Sequence, residues 1–353
     1  MTRTFYLLRH GESAGQAGTR RCISRTDLPL DEVGLEQADA LGVWLAEKPI
    51  TAIYTSPARR CAETAERLPH RGLPVHVCPD LWEVSVGEWE GLPFSEIRQR
   101  WPEVYAARGS HLGAVPPPGG ESFADAARRM AGAMERIAAE SGGDCAVVTH
   151  SGLTRAWLAT LLGRDLDELF SLPQPCGGIS TVVWDGAEFQ ALSVGQKPLP
   201  YPGPLECRAL LSRAGTPPAV IAHGEAVAGE ALRLAANSGA AADRELLACA
   251  CRLHDICREA GRAHPQEGSA LLTKAGYPQV AALIGQHHDL EPDAPPEAEL
   301  LYLADKRISG TAPVAASERF AASRLRCTTP DALAAWQRRY DATIRLEQKY
   351  SCT

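Results

Sequence analysis

Hydrophobic and polar positions give the first half of the chain an alternating pattern. Short β-branched or aromatic runs, which predict strands, alternate with segments of helical spacing. The predicted strands are residues 4–8, 52–56, 75–77 and 145–149, and the predicted helices are residues 35–47, 59–68 and 123–140. Two further runs, at 181–184 and 188–194, flank Asp185-Gly186 and predict a β-hairpin. The first half is therefore predicted to be a three-layer α/β domain with a mostly parallel sheet.

The second half has a different pattern. From residue 219 onward, Ala- and Leu-rich segments of helical spacing dominate, with breaks near Gly239, Gly261, Gly276 and residues 293–296. This pattern predicts an all-α domain. Its last segment, at 331–348, is predicted to be an amphipathic helix, used either for packing or for a homodimer contact.

A proline-rich segment separates the two patterns. Residues 197–204 contain four prolines, which interrupt helices and central strands. We therefore predict a first domain at residues 1–197, a linker at 198–217 and a second domain at 218–353. The length of 353 residues fits two domains, because single hydrophobic cores stop growing below that size.

Composition narrows the classes of function. A formal net charge of −7 and a pI near 5.8 argue against a nonspecific nucleic-acid binder, which would carry a basic face. No apolar stretch approaches the roughly 20 residues that span a bilayer, and the N-terminus lacks a secretory signal pattern. We therefore expect a cytoplasmic protein without a membrane partner. The eleven scattered cysteines are expected to be reduced thiols.

The first candidate chemistry lies at Arg9-His10-Gly11, at the C-terminal end of the first predicted strand. Ligands of α/β sheets bind at this edge. A glycine lets the backbone approach a phosphate, and an arginine offers planar, charge-assisted hydrogen bonds to its oxygens. The tripeptide alone favours a surface turn, because short motifs recur by chance, so the functional interpretation depends on the other motifs of the first half.

Four further motifs follow in order: residues 24–38, 55–65 with Ser56-Pro57 and Glu63-Thr64-Ala65, 82–91 with Trp82-Glu83, and 147–152 with His150. As a set, residues 1–195 resemble the histidine phosphatase superfamily, which has the phosphoglycerate-mutase-like fold. The resemblance implies that His10 attacks phosphorus and forms a phosphohistidine, while Arg9 and Arg60 hold the phosphate. It also implies that His150 binds the transferring oxygens and that Glu83 is the general acid and base. The further phosphate contacts implied are Ser13, Gln16 and Ser151.

Some positions in this half have competing interpretations. Arg59 is the alternative to Arg60, although the register against Glu63-Thr64-Ala65 favours Arg60. The family commonly has asparagine where Gln16 stands, and Ser13 is also a helix-cap candidate.

Residues 116–122 resemble the phosphatase branch, particularly the α-ribazole phosphatases, so hydrolysis is favoured over mutase-type transfer. No cofactor is implied for this domain.

Histidines and aspartates cluster in the second half. The candidates are His223, His254, Asp255, His264, His287, His288 and Asp305. Several histidines with two aspartates in apolar surroundings favour a metal site over buried core histidines.

This set, over residues 218–310, resembles the HD superfamily of metal-dependent phosphohydrolases. The resemblance implies a first divalent metal site and a second one bridged by Asp255. The first would use His223, His254, Asp255 and Asp305, and the second would add His264 and His287. Manganese, iron or zinc suits these ligands, and metal-activated water would attack a nucleotide or phosphodiester. His288 is the alternative to His287, and Lys306 either contacts phosphate or is a solvated lysine.

The whole chain is predicted to be a bifunctional phosphohydrolase. Its substrates would be small phosphorylated metabolites or nucleotides. Two alternatives stay open: an HD domain that senses a ligand and regulates the phosphatase, and a noncatalytic scaffold.

Overall fold

The structure is a computed structural model, and it describes residues 2–15, 21–69 and 72–350. The chain forms two compact units, unit 1 at Met1–Leu199 and unit 2 at Pro200–Thr353. Their boundary falls inside the proline-rich segment. Among the described helices, none combines the length and apolar character needed to cross a bilayer.

Unit 1 is built around one six-stranded sheet. Its strands are β1 (Arg3–Arg9), β2 (Ile50–Thr55), β3 (Val75–Val77), β4 (Asp144–Thr149), β5 (Ile179–Trp184) and β6 (Phe189–Gln196). Its α-helices are α1 (Glu32–Leu45), α2 (Arg59–Glu66), α3 (Phe94–Arg100), α4 (Pro102–Ser110), α5 (Phe123–Glu140) and α6 (Ser151–Leu161). The strand order is β3-β2-β4-β1-β5-β6, in which the first four strands are parallel and the hairpin β5–β6 is antiparallel.

Both faces of the sheet are buried by helices. Along β1, Phe5 and Leu7 pack with α5 and α6, whereas Tyr6 and Leu8 pack with α1 and α2 on the opposite face. Successive side chains of a strand point to opposite faces, so a continuous apolar run such as β1 fits a strand covered on both sides. The predicted α/β architecture, with its closing hairpin, is confirmed.

Three helices of unit 1 lie outside the predicted ones. Of these, α6 is buried on nearly all sides, with Leu153, Trp157 and Leu158 in the core. A helix without a polar face has no alternation of apolar and polar positions at helical spacing, so hydrophobic periodicity does not predict it.

Unit 2 is mainly helical. Its helices are α7 (Pro204–Arg213), α8 (Pro218–Ser238), α9 (Arg244–Leu253), α10 (His264–Ala275), α11 (Pro278–Gly285), α12 (Pro296–Arg307), α13 (Ala316–Arg324) and α14 (Pro330–Tyr350). A small ribbon, β7 (Ile308–Ser309) with β8 (Ala312–Pro313), is the exception to the predicted all-α content. Gly239 and Gly276 end α8 and α10 in the left-handed conformation that favours glycine at this position. The C-terminal helix α14 packs into unit 2 through Leu346 and Tyr350.

The predicted linker at 198–217 differs from the structure. Helix α7 occupies residues 204–213, and its Cys207, Leu210 and Leu211 belong to the core of unit 2. Pro204 stands in the first turn, where a backbone N–H has no helical partner and proline is tolerated. The prolines therefore start a helix of unit 2 here instead of keeping the segment extended.

Candidate active and metal sites

Sheet topology brings His10 and His150 together. Strands β1 and β4 are neighbours and parallel, with Arg9 paired to Thr149, so the residue after each strand lies at the same edge. The centroids of the two imidazole rings are 5.2 Å apart. This edge is where the carboxyl ends of parallel strands place a ligand.

His10 is buried and held in one tautomer. Its Nδ1 lies 2.6 Å from the carbonyl oxygen of Gly11, which can only accept, so Nδ1 donates and the lone pair is on Nε2. Arg60 donates from Nε to this Nε2 at 3.2 Å. Burial, followed by the charges of Arg9 and Arg60, lowers the pKa of His10 well below 6.5. His10 is thus a neutral imidazole at neutral pH, with its reactive nitrogen facing an arginine.

Arg60 and Arg59 point in different directions. Arg60 is 4% exposed and donates from Nη2 to the Ser24 carbonyl at 2.6 Å and to His150 Nδ1 at 3.1 Å. The Arg59 side chain is 58% exposed and pairs with Glu63 at 2.7 Å. Neighbouring residues of a helix face different sides, so α2 can turn only one of these arginines into the cluster.

His150 is completely buried. Because Arg60 only donates, Nδ1 of His150 accepts, and Nε2 carries the proton that it donates to Ser56 Oγ at 2.9 Å. Sequence reasoning missed this role for Ser56. The signal was available, since Ser56 directly follows β2, the neighbour of β4 at the same sheet edge.

The side chain of Glu83 lies beside the N-terminus of α6. Its carboxylate accepts hydrogen bonds from the backbone N–H groups of Val84 (2.9 Å), Gly152 (3.0 Å) and Leu153 (2.9 Å). A helix N-terminus attracts a carboxylate through its free N–H groups and its dipole. Glu83 is therefore fixed directly beside the segment that carries His150.

Two arginines complete the positive charge of this cluster. Among the residues that the structure describes, Arg9 has a buried Nε without a hydrogen-bond partner. Arg155 on α6 donates to the Leu172 carbonyl at 2.8 Å, and burial, followed by the charge of Arg9, lowers the pKa of Arg155 to about 10. Sequence reasoning missed Arg155, although it follows Ser151 by four residues and so lies on the same helix face. A buried, unpartnered donor beside a second guanidinium suits an anion.

The remaining predicted phosphate contacts occupy different positions. Ser13 is buried and pairs with Leu30 in an isolated bridge, and Ser151 is the first residue of α6. Gln16 lies outside the described residues. Gly11 has a packing reason for being glycine, because a Cβ there would collide with the backbone of Gly34.

In unit 2, five helices, α8 to α12, and their ends bring the six predicted metal ligands together. The short pairs around the two carboxylates are His264 Nε2–Asp255 Oδ1 at 2.8 Å, His287 Nε2–Asp255 Oδ1 at 3.6 Å, His254 Nε2–Asp255 Oδ2 at 3.6 Å, His254 Nε2–Asp305 Oδ1 at 3.8 Å and His223 Nε2–Asp305 Oδ1 at 3.2 Å. The five ligands other than His223 are at most 7% exposed. The predicted set therefore forms one buried cluster in unit 2.

The four histidines share one orientation. In each ring, Nδ1 lies 2.6–2.7 Å from a backbone carbonyl oxygen. The pairs are His223 with Gly310, His254 with Cys251, His264 with Gly261 and His287 with Ile284. Each Nδ1 therefore donates, and each Nε2 points into the cluster, where it offers a lone pair when the ring is neutral. Metal-binding histidines characteristically hold their other ring nitrogen this way.

The facing lone pairs test whether a cation fits. Nε2 of His264 and Nε2 of His287 are 3.2 Å apart, and Asp255 Oδ1 lies close to both, so three acceptors converge. Within the described residues, Asp255 Oδ1 and His254 Nε2 are buried without hydrogen-bond partners. Burial lowers the pKa of His254 to about 4, which keeps its imidazole in the neutral form that binds metals. Converging buried acceptors are stabilised by a cation, so the residues present fit a divalent metal.

Two alternatives from the sequence can now be compared with the geometry. His287 is 1% exposed and faces Asp255, while His288 also has a ring nitrogen within 4.8 Å of the ligand atoms of His264 and His287. Lys306 is buried and pairs with Asp305 at 2.6 Å, so the solvated alternative for this lysine is wrong.

Comparison with family models gives two matches. Residues 5–197, more than half of the chain, match the model described as the histidine phosphatase superfamily, branch 1. Residues 220–308 match the model of the HD domain.

Curated relatives match part of the chain. The bifunctional protein Rv2228c of Mycobacterium tuberculosis is 38% identical over 147 residues, 41% of this chain and 40% of that protein. The metal-independent phosphoserine phosphatase of Arabidopsis thaliana is 38% identical over 42% of this chain and 65% of that protein. The glucosyl-3-phosphoglycerate phosphatase of Mycolicibacterium vanbaalenii is 33% identical over 52% of this chain and 82% of that protein. The chain thus spans less than two thirds of the first two relatives.

Solved structures give the same fold. YhfR of Bacillus stearothermophilus has a TM-score of 0.50 and 31% identity, covering 54% of this chain and 95% of its own. The α-ribazole phosphatase of Shigella flexneri has a TM-score of 0.50 and 23% identity, covering 55% and 96%, which shows the fold alone. With the cluster of His10, Arg60 and His150 on the predicted sheet edge, these matches show that the chain belongs to the histidine phosphatase superfamily and carries an HD domain in its second unit.

Proposed function

We propose that unit 1 is a phosphomonoesterase that acts through a phosphohistidine at His10. The observation that carries the proposal is the tautomer of His10, whose Nε2 lone pair faces the Arg60 guanidinium with Nδ1 tied to Gly11. A bound phosphate would accept the hydrogen bond that the Arg60 guanidinium otherwise donates to Nε2. Arg9 would bind the same phosphate as a second cation. Nearby fixed cations neutralise a dianion that would otherwise repel a nucleophile.

Two steps follow from this arrangement. The Nε2 lone pair forms a bond to phosphorus while the ester P–O bond breaks, and Glu83, which enters this step as the protonated acid, gives its proton to the leaving alkoxide. Water then attacks phosphorus, Glu83 takes a proton from it, and the N–P bond breaks to release phosphate and neutral His10. Ser56 accepts the Nε2 proton of His150 and keeps the ring in place, and a proton taken up at Nδ1 together with the bound dianion would let this nitrogen, which otherwise accepts from Arg60, donate to the transferring oxygens.

Relatives support a small phosphorylated metabolite as the substrate of unit 1. Two of them are named as phosphatases of phosphoserine and of glucosyl-3-phosphoglycerate. Both names describe hydrolysis of a phosphomonoester, which favours hydrolysis over mutase-type transfer here.

For unit 2 we infer a metal-dependent hydrolysis of a nucleotide or phosphodiester. His223, His254, Asp255 and Asp305 would hold one divalent metal, and His264 and His287 would add a second with Asp255 between them. Manganese, iron or zinc in this site would supply Lewis-acid activation of water and phosphate. The preoriented imidazoles, with His254 in the neutral form, and the converging acceptors of the cluster support this assignment.

A phosphometabolite screen with two metal conditions tests both proposals. We expect unit 1 to release phosphate from phosphomonoesters in EDTA, because its cluster uses only protein side chains. We expect a second activity, toward nucleotides or phosphodiesters, to appear only after manganese is added. Loss of all phosphomonoesterase activity in EDTA would contradict the first proposal, and the absence of any manganese-dependent hydrolysis would contradict the second.

The adjacent arginines of α2 give a matched pair of variants. Arg60→Met is expected to lower kcat/KM of the EDTA-resistant activity by about 10²- to 10³-fold, because it removes a donor aimed at the reacting phosphate. Arg59→Met is expected to stay within about twofold, since the Arg59 side chain is exposed and pairs with Glu63. Steady-state kinetics with thermal melting as a folding control would measure this. Equal losses in the two variants would place Arg60 outside the phosphate site.

A further inference from the structure

A large cavity of unit 2 extends from the metal cluster. Its volume is about 1180 Å³, and Asp255, His287 and Asp305 form part of its wall. Ligand pockets usually measure about 300–1,000 Å³, so this cavity has room for a molecule of nucleotide size beside the cluster. Much of the remaining wall comes from α13 and α14, which follow the residues 220–308 that match the HD domain.

The cavity is cationic in an acidic chain. Six Arg or Lys side chains line it against four Asp or Glu, whereas the chain as a whole carries a net charge of −7. Three of the cations lie against the cluster: Arg258 Nη1 is 3.5 Å from Asp255 Oδ1, Lys306 Nζ is 2.6 Å from Asp305 Oδ2, and Arg319 Nη2 is 3.5 Å from Asp305 Oδ1.

This charge balance points to a multiply charged anion. Two carboxylates face three protein cations before any metal is counted, and the proposed divalent metals would add further positive charge. The side chains of Lys306, Arg319 and Arg258 are 11%, 35% and 51% exposed, so their charges can attract an anion that enters the cavity. A ligand with more than one phosphate supplies the needed charges close together.

Arg319 on α13 is held ready for such an anion. Its Nη1 donates to the backbone carbonyls of Asp305 and Ile308, which anchors the guanidinium at the cluster. Arginine presents its donors in a planar fork, so an anchored guanidinium can still direct Nη2 toward a phosphate oxygen.

Trp336 on α14 places a fixed aromatic ring on the same wall. Its Nε1 donates to the Phe320 carbonyl and to Ser323 Oγ, both at 3.1 Å. The ring stacks on Tyr340 with a centroid distance of 5.2 Å and an interplanar angle of 6°. The exposed guanidinium of Arg324, which does not line the cavity, lies 5.3 Å from the Trp336 centroid, and a flat group that stacks on that face of the ring would displace it. A preoriented indole beside cations is the arrangement that binds a base next to its phosphates.

We propose that α13 and α14 form the recognition wall for a nucleotide with more than one phosphate, with Arg319 binding a phosphate and Trp336 stacking on the base. The inference rests on the proposed metal-dependent function of unit 2 and names its ligand class. It assigns binding to a C-terminal segment beyond the matched HD region.

Two nonhydrolysable probes separate the two contacts. Calorimetry with manganese-loaded full-length protein would compare α,β-methylene-ADP with methylenediphosphonate, which lacks the nucleoside. All proteins would carry Arg60→Met to weaken anion binding in unit 1. We expect Trp336→Leu to weaken binding of the nucleotide about tenfold or more and to leave the diphosphonate unchanged, while Trp336→Phe restores most of the affinity.

Arg319→Met is expected to weaken both probes about tenfold or more, because a charge-assisted contact to phosphate is lost. Arg338→Met, on α14 but outside the cavity lining, is the matched control and should bind both probes normally. Arg319→Lys, which keeps the charge, should retain wild-type manganese content and intermediate affinity. If Arg319→Lys instead lost manganese and both probes together, Arg319 would be structural and the proposal overturned.

The outcomes also distinguish this inference from the proposed function. Trp336-dependent binding of the nucleotide probe without turnover of ADP would support the recognition wall and contradict hydrolysis. Turnover of ADP with a KM that Trp336→Leu leaves unchanged would support hydrolysis and overturn the recognition wall. Equal affinity for the two probes in the Trp336-containing protein would also overturn it.

Discussion

His10→Ala is expected to reduce the EDTA-resistant phosphomonoesterase activity by about 10⁴-fold or more, because it removes the atom that forms the covalent bond to phosphorus. The reason lies in the geometry of the buried ring: Nδ1 is occupied by the Gly11 carbonyl, so Nε2 is the nitrogen with an available lone pair. Steady-state kcat/KM on the best phosphomonoester from the screen would measure the loss.

The intermediate gives an independent measurement. In a denaturing quench during turnover, the wild-type chain is expected to retain labelled phosphate, and His10→Ala is expected to retain none. His76→Ala is a suitable control, because His76 is exposed on the edge strand β3. Retention of covalent phosphate by His10→Ala would show that another residue is the nucleophile.

Asp255→Asn is expected to weaken metal binding in unit 2 by more than about 100-fold and to remove the manganese-dependent hydrolysis. Loss of residues that only support metal ligands costs about 10- to 100-fold, and Asp255 lies closer, with its Oδ1 facing His264 and His287. The substitution keeps the shape of the side chain but removes its charge. Metal content per chain after desalting would measure the effect.

Asp293→Asn is the matched control for this variant, since Asp293 is exposed in the loop before α12. Unchanged metal content in Asp255→Asn would contradict the assignment of the cluster as a metal site. Complete metal loss with full retention of every hydrolytic activity would instead favour the sensing alternative for the HD domain.

Much of the architecture was predictable from the sequence. The continuous apolar run of β1 and the helical spacing of residues 123–140 determine a strand covered on both faces and helix α5. Helix α6 and helix α7 were not predicted, because one is apolar on nearly all sides and the other begins at a proline. Hydrophobic periodicity predicts a helix only where an apolar face differs clearly from a polar one, and α6 and α7 show little such difference.

The ligand residues were largely predictable, but their environment was not. The sequence motifs named His10, Arg60, Glu83 and His150, whereas the contribution of Ser56 and Arg155 depends on which strands and helices are neighbours. In unit 2, the wall that Arg319 and Trp336 build lies beyond the residues that resemble the HD family. The segments that form α13 and α14 show no recognisable motif, yet their packing in unit 2 creates a charged cavity.

The sequence by itself determined the strands of unit 1, the helices with a clear apolar face, the division into two units and the residue types available for phosphate and metal chemistry. These depend on local periodicity and on motifs, both of which are written along the chain. Only the tertiary structure decided that His10 and His150 meet across paired strands, that Arg60 and not Arg59 turns inward, and that each imidazole of the HD cluster presents Nε2. Such decisions depend on sheet order, side-chain direction and hydrogen bonds between residues far apart in sequence, and those are fixed only when the cores of each unit pack.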